Sequence, residues 1–295
     1  MNRFEQLLAS RNVVILDGAM GTMLMARGLK AGEAPEKMNT EHPEVVAEIH
    51  REYIKAGSNI ILTNTFGGNR FRLKRHGLDN QVREINLNAA RLARQVADEF
   101  GEMVVVAGDI GPTGEMMKPL GSLTFEDAKQ AFAEQAAALS SGGVDVIWIE
   151  TMSDINEVKA AVEGAKSVTA LPIVATMSFE SRGRTMMGNT PEQLVELGKQ
   201  YQLSAVGANC GKGPQELETA IAKMRAFDPD ITLIAKANAG IPKLIEGNLI
   251  YDGTPEVMAE HAERVSTFGV HFIGACCGSS PEHIQAMVQV LRKRE

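Results

Sequence analysis

Cysteine, aromatic residues and long apolar stretches are scarce in this 295-residue sequence, which contains three cysteines, one tryptophan and three tyrosines. No uncharged apolar run approaches the roughly 18–20 residues that a membrane-spanning helix needs. The first twelve residues carry Arg3, Glu5 and Arg11 and lack the apolar centre of a signal peptide. An odd number of cysteines, two of them adjacent, forms a poor disulfide framework, so we expect free thiols in a reducing compartment. The sequence therefore predicts a cytoplasmic protein with no membrane partner.

Positively charged residues are also few, since the chain has 30 Lys and Arg residues against 37 Asp and Glu residues, which gives a net charge of -7. A basic surface for nucleic acid is therefore not expected. Hydrophobic residues make up 44% of the chain and charged residues 23%, which is the composition of a globular protein with a sizeable core. We expect a globular protein without a nucleic-acid partner.

Eight short apolar runs alternate with longer segments of helical periodicity. Each run is nearly continuously apolar, which is typical of a parallel strand buried on both faces. Eight strand–helix units predict an α/β protein with a (β/α)8 TIM barrel, forming a single domain over residues 1–295. A doubly wound open sheet is the alternative. The predicted strands are Val13–Leu16, Asn59–Thr63, Val104–Ala107, Val146–Ile149, Ile173–Met177, Ala205–Ala208, Thr232–Ala235 and Phe272–Gly274. The predicted helices are Pro43–Ala56, Gln81–Phe100, Phe125–Ser141, Ile155–Val168, Pro191–Tyr201, Pro214–Phe227, Pro255–Phe268 and Pro281–Arg292.

Polar residues follow the predicted strands, at the end of the barrel where active sites of this fold lie. All three cysteines are among them, on the sixth and eighth strands, whose ends are close enough across a narrow barrel mouth to share one ion. The predicted rim consists of Asp17, Asn64, Asp109, Glu150, Ser178, Asn209, Cys210, Asn238, Cys276 and Cys277.

Three cysteines at one rim suit a zinc ion with one open position, because catalytic zinc sites use three protein ligands and structural sites use four. Adjacent residues of a strand point to opposite faces, so Cys276 and Cys277 reach one ion only if the chain leaves strand geometry there. Gly274 and Gly278 permit such a departure. Buried structural thiols are the alternative, and a redox pair is a weaker one because no C-x-x-C motif is present.

The charge of such a site indicates its chemistry. A divalent ion held by three thiolates has a net charge of about −1 and is a weak generator of hydroxide. It is better suited to binding an incoming thiol as a thiolate whose sulfur stays electron-rich. If the metal is present, the site therefore predicts alkyl transfer to sulfur.

Four motifs follow the first, second, sixth and eighth predicted strands: Asp17-Gly-Ala-Met-Gly-Thr22, Thr63-Asn-Thr-Phe66, Gly207-Ala-Asn-Cys210 and Gly274-Ala-Cys-Cys-Gly278. In this order they resemble the zinc-dependent homocysteine S-methyltransferase family. That family includes betaine–homocysteine methyltransferases and the homocysteine module of cobalamin-dependent methionine synthase, and its fold is a (β/α)8 barrel. The motifs and the strands around them cover residues 13–292, nearly the whole chain.

The resemblance implies that Cys210, Cys276 and Cys277 bind Zn²⁺ and that the sulfur of L-homocysteine takes the remaining position. The thiolate then attacks a donor methyl in line, which gives methionine. Asn209 is implied to orient neighbouring groups, with a loop-capping role as its alternative.

The resemblance also assigns residues to the amino-acid part of the substrate. Asp17 and Glu150 are implied to bind the ammonium group, and backbone N–H groups around Gly18, Ala19 and Met20 its carboxylate. An ammonium needs a negative partner, and a glycine lets backbone donors approach a carboxylate. A structural hydrogen bond for Glu150 and a turn role for Asp17 are the alternatives.

The methyl donor is less clearly marked. Betaine enzymes of this family enclose the quaternary ammonium in aromatic rings. Here Phe66 keeps its ring, but Gly67 follows it, Thr151 stands where the betaine branch has Tyr, and the Trp-bearing loop corresponds to about Lys37–Met38. Residues 236–242 instead resemble the methionine-synthase branch. We predict a methylated corrinoid protein as donor, with betaine or another small onium compound as the alternative.

Two rival functions remain. The chain could be a non-catalytic module that binds zinc and thiols, or a barrel lyase that uses Lys236, at the end of the seventh strand, to form a Schiff base. Another thiol could replace homocysteine, and a homo-oligomer is compatible with the sequence.

Overall fold

The predicted strands recur in the structure, a computed structural model that describes residues 1–101, 103–180, 183–245 and 248–292. The other positions of the predicted domain, 1–295, lie outside the described residues. The strands are β1 (Val14–Ile15), β2 (Ile60–Leu62), β3 (Val105–Ile110), β4 (Val146–Met152), β5 (Ile173–Met177), β6 (Ala205–Cys210), β7 (Leu233–Ala237), β8 (Pro242–Ile245), β9 (Asn248–Tyr251) and β10 (Phe272–Ala275).

Eight of these strands form one parallel sheet in the order β1-β10-β7-β6-β5-β4-β3-β2. A parallel bridge between Leu16 and Ile60 joins the two ends of this order. At the same seam the N–H of Asn59 donates to the carbonyl of Ile15 at 2.7 Å. The sheet is therefore a closed (β/α)8 TIM barrel, as predicted, and the open doubly wound sheet is wrong.

Helices cover the outside of the barrel. Four of the eight predicted helices have the predicted bounds, and each end of the others lies within two residues of its prediction. Four short helices were not predicted, because segments of four to eight residues show too few repeats of the helical period. No helix in the described part of the chain is long and apolar enough to cross a membrane. The helices are α1 (Arg3–Ser10), α2 (Met20–Met25), α3 (Met38–Glu41), α4 (Pro43–Ala56), α5 (Arg70–Lys74), α6 (Val82–Glu99), α7 (Phe125–Ser141), α8 (Ile155–Lys166), α9 (Pro191–Tyr201), α10 (Pro214–Phe227), α11 (Pro255–Thr267) and α12 (Pro281–Leu291), with a 3-10 turn at Pro35–Lys37.

Large apolar side chains fill the barrel interior near the amino ends of its strands. Phe4 of α1 stacks on Phe272 of β10 with ring centroids 5.6 Å apart, and Trp148 of β4 meets Phe272 edge-on at 6.1 Å. These rings belong to one buried cluster with aliphatic residues of the barrel strands. α1 therefore contributes apolar side chains to the interior core.

The interior becomes polar toward the carboxyl ends of the strands. Side chains two residues apart on a strand share a face, so Asp109, Glu150 and Lys236 follow inward-facing Ala107, Trp148 and Ile234. All three polar side chains are buried. β3, β4 and β7 consequently extend beyond the predicted apolar runs, which stop before the first charged residue.

An antiparallel hairpin made of β8 and β9 follows β7, and the sequence analysis assigned no element there. Its last residue, Tyr251, lies against the turn after β10, since a Cβ built on Gly278 would be 2.2 Å from Cγ of Tyr251. The hairpin therefore places an aromatic ring beside the strand end that carries two of the cysteines.

Candidate metal and substrate site

The structure brings the three cysteines together at the carboxyl end of the barrel. Cys210 is the last residue of β6, and Cys276 and Cys277 follow β10, with β7 between the two strands. The sulfur of Cys210 lies 3.1 Å from that of Cys276 and 3.9 Å from that of Cys277. All three sulfurs lie within 4.8 Å of one another, a separation that suits ligands of one ion.

The backbone leaves strand geometry at both cysteine positions, as their convergence requires. Cys210 has a positive φ of 59°, and Gly278 has a φ of 81° in the turn that begins after Ala275. Gly274, in contrast, stays within β10, and a Cβ there would lie 2.5 Å from Cβ of Leu16. Gly278 therefore permits the turn. Gly274 instead permits close packing of β10 on β1, so the prediction that it helps the chain to leave strand geometry is wrong.

Hydrogen bonds tie the cysteine turn to the loop after β1. The hydroxyl of Ser279 accepts from the N–H of Ala19 at 3.0 Å and donates to the carbonyl of Cys276 at 2.7 Å. The N–H of Gly278 donates to the hydroxyl of Thr22 at 3.0 Å, and the hydroxyl of Tyr53 donates to the carbonyl of Ala19 at 3.2 Å. The first and fourth sequence motifs therefore form one connected structure.

This network bears on the predicted carboxylate site. Ala19 already gives its N–H to Ser279. Gly18 lies in the same loop, and Met20 begins α2, where the first N–H groups have no acceptor within the helix. Binding of a carboxylate by this loop stays a prediction, with Met20 better placed for it than Ala19.

Asn209 is held in one orientation by two threonines. Its Oδ1 accepts from the N–H of Thr151 at 2.9 Å and from the hydroxyl of Thr176 at 2.7 Å, while its Nδ2 donates to the hydroxyl of Thr151 at 2.6 Å. The same Nδ2 lies 3.9 Å from the sulfur of Cys276. Thr151 has a φ of 60°, which is rare for a β-branched residue and costs free energy. Asn209 therefore links strained backbone after Glu150 to the thiol cluster.

The two carboxylates assigned to the substrate ammonium face a lysine. Nζ of Lys236 lies 3.3 Å from Oε2 of Glu150 and 3.6 Å from Oδ1 of Asp17. The other oxygen of Asp17 accepts from the N–H of Leu62 at 2.7 Å. Burial opposes the charged form of Lys236, but the carboxylates of Glu150 and Asp17 raise its pKa above the ordinary value. A Schiff-base lysine must lose its proton, so this ion pair counts against the lyase alternative.

Burial also disfavours the charged form of the carboxyl groups, and for an acid this raises the pKa. It raises the pKa of Asp17 to about 6, although the Lys236 ammonium favours the carboxylate. The pKa values of Glu150 and Asp109 are raised for the same reason. The sequence placed Asp109 at the rim and Lys236 at the end of the seventh strand, but neither was grouped with the substrate residues. Each lies two residues after an apolar interior residue of its own strand, and this spacing would have identified both as interior side chains.

Other predicted rim residues have structural partners. Nδ2 of Asn64 donates to the carbonyl of Pro35 at 2.7 Å, and Nδ2 of Asn238 donates to the carbonyl of Gly211 at 2.8 Å. Ser178 lies directly after β5 and is partly exposed. These contacts fix loops around the mouth of the barrel.

The residues at the positions of the betaine cage make contacts within the protein instead. The guanidinium of Arg72 lies 5.9 Å from the centroid of the Phe66 ring. The N–H of Gly67 donates to the buried carboxylate of Glu36 at 2.6 Å, and a Cβ at Gly67 would lie 2.7 Å from the same oxygen. Of these positions, all of which the structure describes, Phe66 is therefore the one that offers an aromatic ring.

The donor set of the cluster fits a thiophilic cation. Hydrogen bonds to the sulfurs of Cys276 and Cys277, together with burial, raise the pKa of Cys210 well above its usual value. Three thiolates this close repel one another unless a cation lies between them. Three sulfur ligands are typical of zinc among the common protein metals. The residues present therefore fit the zinc ion predicted from the sequence.

Comparison with known proteins agrees with this geometry. The family model for homocysteine S-methyltransferase matches residues 14–291. A methionine synthase of Mycobacterium tuberculosis is 31% identical over 293 residues, which are 94% of this chain and 24% of that protein. A methionine synthase of Mycobacterium leprae is 29% identical over 301 residues, which are 96% of this chain and 25% of that protein. The chain thus spans about a quarter of the length of these curated relatives.

Solved structures show the same fold. The homocysteine methyltransferase MmuM of Escherichia coli in its metallated form is 24% identical, has a TM-score of 0.82 and aligns over 99% of this chain and 100% of its own. Its oxidised form aligns over the whole of both chains with a TM-score of 0.83. With the family model matching nearly the entire length, the chain belongs to the homocysteine S-methyltransferase family, a family of methyltransferase enzymes.

Proposed function

We propose that residues 1–295 form a homocysteine-binding barrel domain that acts as a zinc-dependent homocysteine S-methyltransferase and forms methionine. The observation that carries the proposal is the convergence of the sulfurs of Cys210, Cys276 and Cys277 within 4.8 Å at the carboxyl end of the barrel. Active sites of this fold lie at that end. Free thiols also fit a reducing compartment such as the cytoplasm.

Cys210, Cys276 and Cys277 would hold Zn²⁺, which supplies, when bound, a position that favours the thiolate form of the substrate sulfur. Zinc rather than another metal is the proposal because a set of three thiolate ligands, as found among the described residues, matches its catalytic sites. Asn209, fixed by Thr151 and Thr176, keeps the sulfur of Cys276 in place.

The chain's own carboxylates place the substrate. Asp17 and Glu150 are both buried against Lys236, and the backbone carbonyl of Asp17 accepts from the N–H of Ala275, next to Cys276. Oδ1 of Asp17 has no hydrogen-bond partner within the described chain. A substrate ammonium bound there would hold the thiol of homocysteine at the cluster. The substrate sulfur then forms a bond to the donor methyl carbon, while the bond from that carbon to the leaving group breaks and its electron pair departs with that group. Alignment of the two reactants contributes much of the rate.

A methylated corrinoid protein is the proposed donor. Support comes from the two methionine synthases that align with nearly all of this chain. The rim offers apolar surface for a protein partner, since Met116, Leu120 and Met186 are exposed on the loops after β3 and β5. Exposed apolar residues on one face are typical of interaction sites.

A small onium donor such as betaine is the second candidate, and Tyr251 favours it. Burial and the neighbouring Cys277 thiol raise the pKa of Tyr251 above its ordinary value, and the Tyr251 ring packs on Gly278. An aromatic ring attracts a methylated cation through the negative face of its π system. This ring comes from the hairpin, so it is independent of the cage positions that lack aromatic residues.

The test is methionine formation by the zinc-loaded protein with L-homocysteine and one donor at a time. The donors are methylcobalamin, betaine and dimethylsulfonioacetate, which is the sulfonium analogue of betaine. Turnover with methylcobalamin alone supports the corrinoid proposal, and turnover with betaine alone contradicts it. Stoichiometric zinc without methionine from any donor would favour the non-catalytic module.

A further inference from the structure

Lys236 has an unusual place in this barrel. Among the described residues it is the one lysine or arginine that is buried. It lies on β7, between the two strands that carry the cysteines, and pairs in register with Asn209 of β6 and Gly274 of β10. Its ammonium therefore lies in the interior layer directly beneath the thiol cluster.

The ammonium of Lys236 organises the two carboxylates opposite it. Nζ is 3.3 Å from Glu150 and 3.6 Å from Asp17, so the carboxylates of β4 and of the loop after β1 converge on one point. Buried carboxylates without a cation lose their charge by taking up protons. A fixed ammonium keeps both groups charged and directed toward the same space.

One hydrogen-bond acceptor of this group, Oδ1 of Asp17, is unused. Oδ2 of Asp17 is bonded to the N–H of Leu62, whereas Oδ1 is buried and has no hydrogen-bond partner within the described chain. The distance of 3.6 Å to Lys236 is long for a hydrogen bond. Burial raises the pKa of Asp109, the third carboxyl group of this layer, well above its ordinary value and favours its neutral form. The two carboxylates opposite Lys236 then leave one negative charge, which matches a single additional ammonium.

We infer that Lys236 is a specificity-determining positioning residue, which holds Asp17 and Glu150 as a charged pair and thereby makes the site select thiols that carry an α-ammonium group. The inference rests on the proposed function for the identity of the substrate. It concerns binding of the substrate's amino group, and so it is testable without turnover.

The experiment measures binding of two thiols to zinc-loaded protein by isothermal titration calorimetry. L-homocysteine carries the ammonium, and 4-mercaptobutanoate is the same thiol acid without it. The variants are Lys236→Met, which keeps the length of the side chain and removes its charge, and Lys236→Arg, which restores a cation. Lys199→Met is the matched control, since Lys199 is an exposed lysine of α9 paired with Asp228.

We expect Lys236→Met to weaken binding of homocysteine at least about tenfold and binding of 4-mercaptobutanoate less than about threefold. Lys236→Arg should recover part of the discrimination, and Lys199→Met should leave it unchanged. Zinc content and thermal unfolding are measured for each variant, with Lys236→Gln as a second neutral replacement.

Unchanged or tighter binding of homocysteine to folded, zinc-loaded Lys236→Met would overturn the inference. So would loss of folding in both neutral variants, because the lysine would then serve the barrel and not its selectivity. A wild-type protein that binds homocysteine but forms no methionine contradicts the proposed function alone.

Discussion

Asn209 and its threonine partners illustrate how single residues shape the site. Oδ1 of Asn209 accepts hydrogen bonds from the N–H of Thr151 and the hydroxyl of Thr176, and its Nδ2 lies 3.9 Å from the sulfur of Cys276. Thr151 and Cys210 both have positive φ, a conformation that persists only where surrounding contacts impose it. The strained backbone at the ends of β4 and β6 therefore depends on this amide.

The thiol cluster predicts the outcome of removing one sulfur. Cys277→Ala leaves two thiols for the ion, and we expect stoichiometric zinc and methyl transfer to be lost together. Zinc is measured by atomic absorption after dialysis, and methionine by chromatography. Ser178→Ala, at the rim but outside the cluster, should keep both. Full zinc content with full activity in Cys277→Ala would show that this residue is not a ligand.

At the scale of elements, α4 contains a buried histidine that predicts a pH dependence. His50 is buried, and neither ring nitrogen has a hydrogen-bond partner within the described chain. Burial lowers its pKa from 6.5 to about 4. The unfolded chain therefore binds this proton more readily between these values, and stability falls as the pH drops from 6.5 toward 4. The loss contributed by His50 is about 3 kcal/mol at the acid end.

Urea unfolding of His50→Leu at several pH values checks this prediction. The variant should lose less stability than the wild type as the pH falls from 6.5 to 4, because its apolar side chain takes up no proton. His42→Leu changes an exposed histidine at the start of the same helix and should keep the wild-type slope. Parallel pH profiles for the wild type and His50→Leu would contradict the assignment.

For the whole molecule, the rim of the barrel distinguishes a protein donor from a small one. Met186 is exposed on the loop between β5 and α9, at the end of the barrel where the thiols lie. If a methylated corrinoid protein docks there, Met186→Asp should lower kcat/KM for that protein at least about tenfold, because a charge replaces apolar contact. Turnover with free methylcobalamin or betaine should change little.

Met103→Asp is the control, since Met103 is also an exposed methionine but lies before β3, at the opposite end of the barrel. Equal losses with the protein donor and with the free donor would mean that Met186 acts on the site itself. No loss with either would place the docking surface elsewhere.

Much of this architecture follows from the sequence alone. Four helices, among them α4 and α7, have the predicted bounds because long amphipathic segments must bury one face. Buried parallel strands are nearly continuous apolar runs, so their number also predicted the barrel. The three cysteines were placed at one rim because each follows such a run.

Tertiary structure alone decided which of these rim residues meet. Closure of the barrel brings Lys236 of β7 to Glu150 of β4, a pairing across 86 residues that no local pattern encodes. It also unites the loop after β1 with the cysteine turn through Ser279, and it sets Tyr251 of the hairpin against Cys277. Hydrophobic periodicity determines local elements and their buried faces, whereas the register and curvature of the closed sheet determine the distances between side chains on different strands.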